Sequence, residues 1–571
     1  MAASYDSENI LDEIFADSDS GSDISSDESE DSDVRTSDAE DSDQETTTSS
    51  VSSEKQNFRS GWRVANAAAY SPPKFTEHTG CTEDCSNLSP IQIFQLYICQ
   101  AVWDLMVLET NRYADQTLFA DSANHQPGAW TPTTIPEIMA FVALLLCMGV
   151  NKRPRYTMHW SRSEVLRSPL YSKTMARNRF TAILRFFHLA NNGADLADDS
   201  PPDKLAKVRP LLDIILPNFV RIYRPGKNLS PDETLLKFKG RISFKQYMPR
   251  KAAKWGLKCF SLNESETGYT CAWNLFTGSQ PKTPQIKTSN VYAATHHPPD
   301  IPAPGKIVLD LVKGLENKGH CIYMDNWFTS PALFSKLSQL GFGACGTVRY
   351  TTRGIPDVAN PKKQPMTRDA DPQFYQKAGQ LCVVWQDTKR VTLLTNYGDC
   401  SVITKQIRCK KSQTGHRDIR KPSIVTDYNK YMGGCDLASQ LCKYYTHNHR
   451  TLKWWKRVFI GLLDICLVNA TIVYNSIPTN NRLSSLDFRV KVIEGLLSTW
   501  KHNSTQHTGQ LSCVSRPARH HTHFPGRNVS GKKQNCVVCS TKATRKQTRM
   551  ICKSCYEPMC VVPCFEKFHS Q

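Results

Sequence analysis

A chain of 571 residues, 40% of them hydrophobic, is too long for one compact domain and implies three or four of about 150 residues each. Its charge is divided: residues 1–54 hold 18 acids against one base, Arg35, and the remainder carries a net +35, the footprint of a protein that meets a polyanion, nucleic acid above all. No apolar stretch follows Met1, which argues against export, so the 21 cysteines are expected in a reducing compartment, where clustered thiols signal metal and not disulfides.

Residues 1–87 read as a disordered acidic region, because the Asp/Ser/Glu pattern cannot bury enough apolar surface to offset the entropy of ordering. Ser22, Ser29 and Ser32 sit beside acids, as phosphorylation sites do, but a solvated tail that screens the basic body is the preferred reading. Apolar periodicity predicts a helix over Ile91–Met106. Thr134 as N-cap, Pro136 in the first turn and Glu137 three residues on predict a helix start that leads into Ile138–Met148. Asn178–Ala190 is amphipathic with Arg185 on its polar side, and the region to about Tyr223 is mostly helical. Strand-like segments follow at Ile242–Met248, Leu257–Leu262 and Tyr269–Phe276. Lys306–Val312 is apolar-periodic, Cys321–Met324 is a short strand stopped at Asp325, and Pro331–Leu340 reads as a helix. Residues 353–422 read as irregular, with strand composition at Leu381–Trp385 and Val391–Thr395. Helices return from Met432 to about Tyr474, and Lys501–Gln534 reads as a polar linker. No membrane is expected. Ile138–Val150 is shorter than the roughly 20 residues a bilayer needs. Val458–Tyr474 holds Asp464 and Asn469, which are costly in lipid, and both runs read as buried helices.

Three acids sit where chemistry would want them: Asp232 before the strand-rich stretch, Asp325 at a strand end, and Asp436 at the start of a helical region. Carboxylates are the ligands of hard cations such as Mg²⁺ or Mn²⁺, and two such ions held by acids from distant segments can drive attack at a phosphodiester. The plain alternatives are a turn at Asp232 and at Asp325, and an N-cap at Asp436.

Farther along, Arg450, Lys453, Trp454, Trp455, Lys456 and Arg457 interleave cations with two indoles. Cations neutralise phosphates and aromatics stack on extruded bases, so these six are DNA-binding candidates. Against that stands the apolar run from Val458, which would bury one of the two indoles. The last residues space Cys536, Cys539, Cys552, Cys555, Cys560, Cys564 and His569 as paired C-x-x-C units with a trailing Cys and His, a zinc signal. Two structural Zn²⁺ ions need an eighth ligand, for which His523 is the candidate, with His520 or His521 as alternatives. An interleaved cross-brace is expected because the segment is too short for an apolar core. Lys542, Arg545, Lys546 and Arg549 suit phosphates or a nuclear import signal.

The segments around the three acids resemble the piggyBac transposases. The family has Asp-Glu-Ser/Thr-Leu running into Phe-Lys-Gly-Arg, here Asp232–Leu235 and Phe238–Arg241. It has Tyr-x-Asp-Asn, here Tyr323–Asn326, and Tyr-Asn-Lys-x-Met-Gly-Gly-Val-Asp, here Tyr428–Asp436 with Cys435 for Val. The similarity runs from about residue 88 to the C-terminus. It implies a multidomain α/β protein whose RNase H-like catalytic core spans 226–352 and 423–446, interrupted by an insertion at 353–422. A mainly helical dimerisation and DNA-binding domain would comprise 88–225 and 447–525, and a cysteine-rich zinc-binding domain 533–571 would recognise the element's terminal DNA. By the same resemblance Asp232, Asp325 and Asp436 are catalytic and hold two Mg²⁺ or Mn²⁺. The reaction would be cut-and-paste transposition: hydrolysis at the element end, a hairpin intermediate, and strand transfer into TTAA. The partners would be double-stranded DNA, as terminal repeats and target, and a second copy in a homodimer, in the nucleus. One departure stands out: where the family continues Asp-x-x-Asp-Gln, this chain has Ser439 before Gln440, which adds no charge to a metal site. Three readings follow: an active transposase, a domesticated nuclear DNA-binding protein that no longer cuts, and a chromatin reader built on the zinc module.

Overall fold

The computed structural model describes residues 61–511 and 525–569, apart from 66, 121–129, 193–202, 250, 252, 279–296, 369, 409–414, 448–449, 529–530, 542, 553–554 and 556. The acidic residues 1–54, with Ser22, Ser29 and Ser32, lie outside the described residues, as do His520, His521 and His523. The chain divides into two compact units, residues 1–500 and 501–571.

Order begins earlier than composition suggested. Residues 61–87, expected within the disordered head, are built into the first unit. Trp62 is 1% exposed and its indole N–H donates to Gly354 O at 2.8 Å, while β1 (Arg63–Val64) joins the edge of the main sheet. A buried indole removes about 150–250 Å² from water, enough to hold a short strap against the fold.

The helix expected over Ile91–Met106 is two, α1 (Pro90–Tyr97) and α2 (Gln100–Ala120), with a 65° bend between them. The bend lets Phe94, Tyr97, Ile98, Val102, Trp103 and Met106 all turn inward, each at most 1% exposed. Helix α3 (Ile135–Val150) starts at Thr134 with Pro136 in its first turn, as predicted. It is apolar on nearly every face because it is packed on nearly every face. Arg179 of α4 (Arg177–Phe186) clamps its first turn, donating to both carboxylate oxygens of Glu137 at 2.7 and 2.6 Å. Helix α5 (Arg209–Ile222) completes this helical layer.

The chain then enters a ten-stranded sheet. Its middle is β2 (Asn228–Lys237), β3 (Lys245–Tyr247), β4 (Trp255–Glu264), β5 (Thr270–Leu275), β6 (Cys321–Met324) and β7 (Gly343–Thr347). Strand β2 pairs antiparallel with β4 and parallel with β6, β6 is parallel to β7, and β4 also holds β3 and β5. The parallel steps are made through α6 (Ala303–Leu311) and α7 (Pro331–Gln339). All four residues of β6 are buried, as befits a central parallel strand. Residues 353–422, read as irregular but for strands at Leu381–Trp385 and Val391–Thr395, carry those two and four more, the shortest being Gly398–Asp399. Three of them, β8 (Gln373–Lys377), β9 (Gln380–Gln386) and β10 (Arg390–Thr395), lengthen the sheet beyond β7, and β11 (Val402–Arg408) pairs with β12 (His416–Pro422). The sheet order is β1-β8-β9-β10-β7-β6-β2-β4-β3, with β5 also on β4.

Helices α8 (Ser423–Tyr431), α9 (Gly434–Tyr444), α10 (Trp454–Ser476) and α11 (Ser485–Leu511) follow. Helix α10 is long and apolar enough to cross a membrane, but it is the core helix of this unit, and its two polar residues explain how it docks. Asp464 meets Arg489 of α11 at 2.8 Å, with both side chains 4% exposed. Asn469 brackets Thr270 of β5, donating to its carbonyl and accepting from its N–H, each at 2.9 Å. Helix α11 runs on to Leu511, so the linker expected from Lys501 starts later.

In the second unit Pro525–Arg527 pairs with Met550–Cys552, Gln534–Asn535 pairs with Gln547–Thr548, and α12 (Cys564–His569) closes the described segment. Its buried cluster is Cys536, Cys552, Met559 and Cys564, so thiols stand where a larger domain would have Leu and Ile.

Candidate functional site

Two backbone ladders fix the first two acids. The parallel register aligns Asn228 with Cys321 and Leu229 with Ile322. The pairing stops there, and Asp325 follows directly on the end of β6, near enough for its charge to act on Asp232. Asp232 is part of β2, opposite Ser261, and not the turn its Pro231 suggested. Two N–H groups pin the carboxylates: Glu233 donates to Asp232 Oδ1 at 2.7 Å and Trp327 to Asp325 Oδ1 at 2.9 Å.

The third acid arrives on α9, which packs on β2 and β4. Gly434 is required there, since a Cβ would come within 2.7 Å of Ser230 Oγ and 2.9 Å of Glu264 O. Cys435 then plugs into the sheet, with its Sγ 2.8 Å from Ser261 Oγ and 3.0 Å from Asn263 Oδ1. Asp436 follows in the first turn, exposed, where the helix dipole favours a negative charge. Ser439 lies one turn on, half-buried. Among the described residues these three carboxylates do not form a cluster with all ligand oxygens within 4.8 Å of one another.

The electrostatics are those of crowded acids. Asp232 is pushed up to about 7, by burial first and then by the charges of Glu233 and Asp325, against Lys251 and the Glu233 N–H. Asp325 is raised for the same reasons, burial foremost and Glu233 next, with Arg349 opposing. A divalent cation relieves this kind of strain, and all-carboxylate donors suit Mg²⁺ or Mn²⁺. Three participants went unassigned in the sequence. Glu233 acts on both aspartates, and its place inside the quoted motif was the available signal. Lys251 reaches the Glu233 carbonyl at 3.3 Å, and Arg349 donates to Asn326 Oδ1 at 3.2 Å. Nothing in the local sequence pointed to either.

The basic-aromatic segment is a correction. Trp454 and Trp455 are 8% and 6% exposed, so neither indole is free to stack on a base. Trp454 meets Phe244 edge-on at 5.3 Å, and Trp455 lies 5.2 Å from His188 and under the ammonium groups of Lys207 and Lys453. Lys456 donates to Leu184 O, and burial pushes its amine down to about 8. Arg457 donates to His447 O at 3.1 Å. The apolar run from Val458 pulls the whole first turn of α10 inward. Arg450 and Lys453 are exposed.

The cysteine-rich unit gathers two donor sets. Cys536, Cys539, Cys560 and Cys564 have their sulfurs within 4.8 Å of one another, as do the ligand atoms of Cys552, Cys555 and His569. The pairs alternate along the chain, first with third and second with the terminal His, which is the interleaving expected of a cross-brace. Burial opposes ionisation of Cys536, but the N–H groups of Cys539, Cys560 and Val538 outweigh it and hold the thiol down to about 6. His569 turns Nδ1 to Phe565 O at 2.8 Å and leaves Nε2 3.3 Å from Cys555 Sγ, the orientation of a ring held for ligation. Both sets suit a tetrahedral zinc ion. Arg545, Lys546 and Arg549 are exposed on this unit, and Lys542 lies outside the described residues.

A family model described as "Transposase IS4" matches residues 89–471, and one described as "DDE_Tnp_1-like zinc finger" matches residues 518–570. Human "PiggyBac transposable element-derived protein 3" is 26% identical over 498 residues, which cover 85% of this chain and 76% of that one. Human "PiggyBac transposable element-derived protein 2" is 26% identical over 410 residues, covering 71% and 64% respectively. A cryo-EM structure of a piggyBac transposase synaptic complex with hairpin DNA superposes with a TM-score of 0.61 at 23% identity, over 85% of this chain and 98% of that one. The mixed α/β fold is shared with that transposase.

Proposed function

The chain belongs to the piggyBac transposase-derived family, and on that premise we propose that it is a metal-dependent cut-and-paste DNA transposase acting at TTAA sites. The observation that carries this reading is that Asp232, at mid-strand in β2, feels the charge of Asp325, just past the end of the neighbouring parallel strand β6, with the helix that bears Asp436 packed on β2. The sheet supports an RNase H-like core: β5, β4 and β2 run antiparallel to their neighbours, and β6 and β7 add in parallel beyond β2. Residues 353–422 would then be the insertion, entering after β7 and returning before α8. The remaining helices, 88–225 and 447–525, would form the dimerisation and DNA-binding domain.

Asp232, Asp325 and Asp436 would hold the cations, with Glu233 adding to the field. Divalent cations held there would supply the Lewis-acid chemistry that phosphodiester cleavage and strand transfer need. The chain's own part is positioning. The Glu233 and Trp327 N–H groups fix one oxygen of each strand carboxylate, so the other is the one offered to a cation. Gly434 and Cys435 seat α9 so that Asp436 stands at its first turn above the sheet. In the second unit Cys536, Cys539, Cys560 and Cys564 would hold one structural Zn²⁺, and Cys552, Cys555 and His569 a second, with His523 as its fourth ligand. The exposed Arg545, Lys546 and Arg549 would meet the phosphates of the element's terminal DNA. The protein would act as a homodimer in the nucleus.

A second reading is favoured by Ser439: a domesticated DNA-binding protein whose metal site lacks one charge and no longer cuts. Purified protein with DNA carrying candidate terminal repeats, flanking TTAA and Mg²⁺, beside Asp325→Ala, decides between them. Hairpinned ends that vanish in the variant establish the transposase. Tight end binding without cleavage moves the assignment to the second reading, and restoration by Ser439→Asp would identify the missing charge.

A further inference from the structure

The hairpin that leaves β2 and returns as β4 is the most basic stretch beside the acids. Residues 237–258 carry eight Lys and Arg and no Asp or Glu. Lys237, Lys239, Arg241 and Lys254 are exposed. On its rim stands an aromatic pair that no packing accounts for: Tyr247 is 51% and Trp255 44% exposed, with ring centroids 4.7 Å apart. The ammonium of Lys245 lies 4.9 Å from the Trp255 ring. The two rings are held rigidly, because Tyr247 and Trp255 are register partners of the β3–β4 ladder. The hairpin is also tied to the acids, since Lys251 at its tip reaches the carbonyl of Glu233.

We propose that Tyr247 and Trp255, with Lys245, form a stacking platform for an unpaired DNA base, on the same sheet as the carboxylate site and some way along it. The inference rests on the DNA reading above and adds the place where a base is read by its face. Rigid exposed aromatics in a field of cations are the means by which proteins hold unpaired nucleotides without regard to sequence. No acid of the hairpin repels a phosphate. The geometry also sets the distance. Trp255 lies six residues before Ser261, the partner of Asp232, on the same face of β4 by strand alternation, about 20 Å away. At the roughly 3.4 Å rise per nucleotide of a strand still stacked in duplex, the extruded base is about six nucleotides from the phosphodiester at the carboxylates.

The test uses the full chain and a labelled oligothymidylate strand, read by fluorescence anisotropy, beside a TTAA duplex of the same length. The double variant Tyr247→Ala/Trp255→Ala should bind the single strand roughly tenfold more weakly, while Trp255→Phe keeps most of the affinity. Lys245→Ala should lower the salt dependence by about one ion. A 2-aminopurine scan along a TTAA-flanked strand should show quenching centred about six nucleotides from the junction, lost in Trp255→Ala. Single-strand affinity and quenching equal to wild type in the double variant, with its thermal melt unchanged, overturn the platform and leave the DNA function standing. Failure of the wild-type protein to bind either DNA overturns both.

Discussion

Cations interleaved with indoles occur twice in this chain, and the fold uses the two stretches in opposite ways. At Arg450–Arg457 the indoles are 8% and 6% exposed, and Lys456 and Arg457 donate to backbone carbonyls inside the unit. At Lys237–Lys258 an indole and a phenol stand outside, side by side on a strand rim. Composition cannot tell these apart. What separates them is the neighbouring sequence. The first stretch opens a helix whose next residues, Val458, Phe459 and Leu462, must be buried, and a helix buries its indoles along with its leucines. The second lies on a hairpin whose turn is polar, so its aromatics meet solvent.

The sharpest way to break this comparison is Trp455→Ala. If the indole is core, the substitution should cost about 3–5 kcal/mol of unfolding free energy, as large buried aromatics do. Chemical denaturation of the variant measures it. A variant as stable as wild type that has lost DNA affinity would return Trp455 to the surface role its sequence suggested. Next in size is Asn469→Ala, which strips the bracket from Thr270 and leaves a buried N–H and carbonyl of β5 unpaired. About 1–3 kcal/mol should be lost for each group stranded. A loss below the lower figure would mean that α10 docks by apolar burial alone.

A third effect depends on pH. His188 stacks on Tyr113 at 3.5 Å and sits beside Trp455; burial first, then Lys207, Lys456 and Lys453, hold it down to about 4. His159, also buried, is held down to about 4 by burial and by Arg153. Because both rings are less basic folded than unfolded, the unfolded chain takes up the protons first. The two rings' contribution to stability should be complete above about pH 6.5 and be lost as pH drops from there toward 4, by about 2 kcal/mol per ring at pH 5. His188→Phe should remove roughly half of that loss. An unchanged pH profile would show that the ring is solvated and that the layer around Trp455 is open.

Much of the fold was legible because its signals are local. The N-cap at Thr134, the strand Cys321–Met324 and the helix at Pro331 fall where periodicity and capping residues put them. Of the strands in residues 373–422, those at Leu381–Trp385 and Val391–Thr395 were legible from composition. Strands β11 and β12, polar and rich in Lys and Arg, carry no apolar alternation to announce them, and β8 was hidden because one of its partners is β1, a contact that no window can see. The strap at Trp62 was missed for the same reason, its partner Gly354 being 292 residues away. The carboxylates were legible through the motifs that contain them, and Glu233 could have been read from the same motif. Lys251 could not, since only the curl of the hairpin brings it back to the acids. Among the thiols, spacing picked out the residues that the fold gathers into two sets, and which of them share a set needed the fold.

The smallest expected effect sharpens the comparison most. Trp255→Ala and Tyr247→Ala should each change unfolding free energy by no more than about 0.5 kcal/mol, the range of surface substitutions. Both rings are already about half in water, so truncation removes little buried area. Their mutual contact, 4.7 Å between centroids, contributes in the folded state at most about the 0.5–1.5 kcal/mol of an aromatic pair, reduced by exposure. Trp455→Ala changes the same atoms and should cost many times more, so the pair of measurements isolates burial from chemistry. If Trp255→Ala instead destabilised the protein by 2 kcal/mol or more, the rim pair would be a structural element of the β3–β4 hairpin, and any loss of DNA affinity in it would be secondary. A neutral melt with weakened single-strand binding has only one physical source, a ring that waits in solvent for a partner with a face of its own.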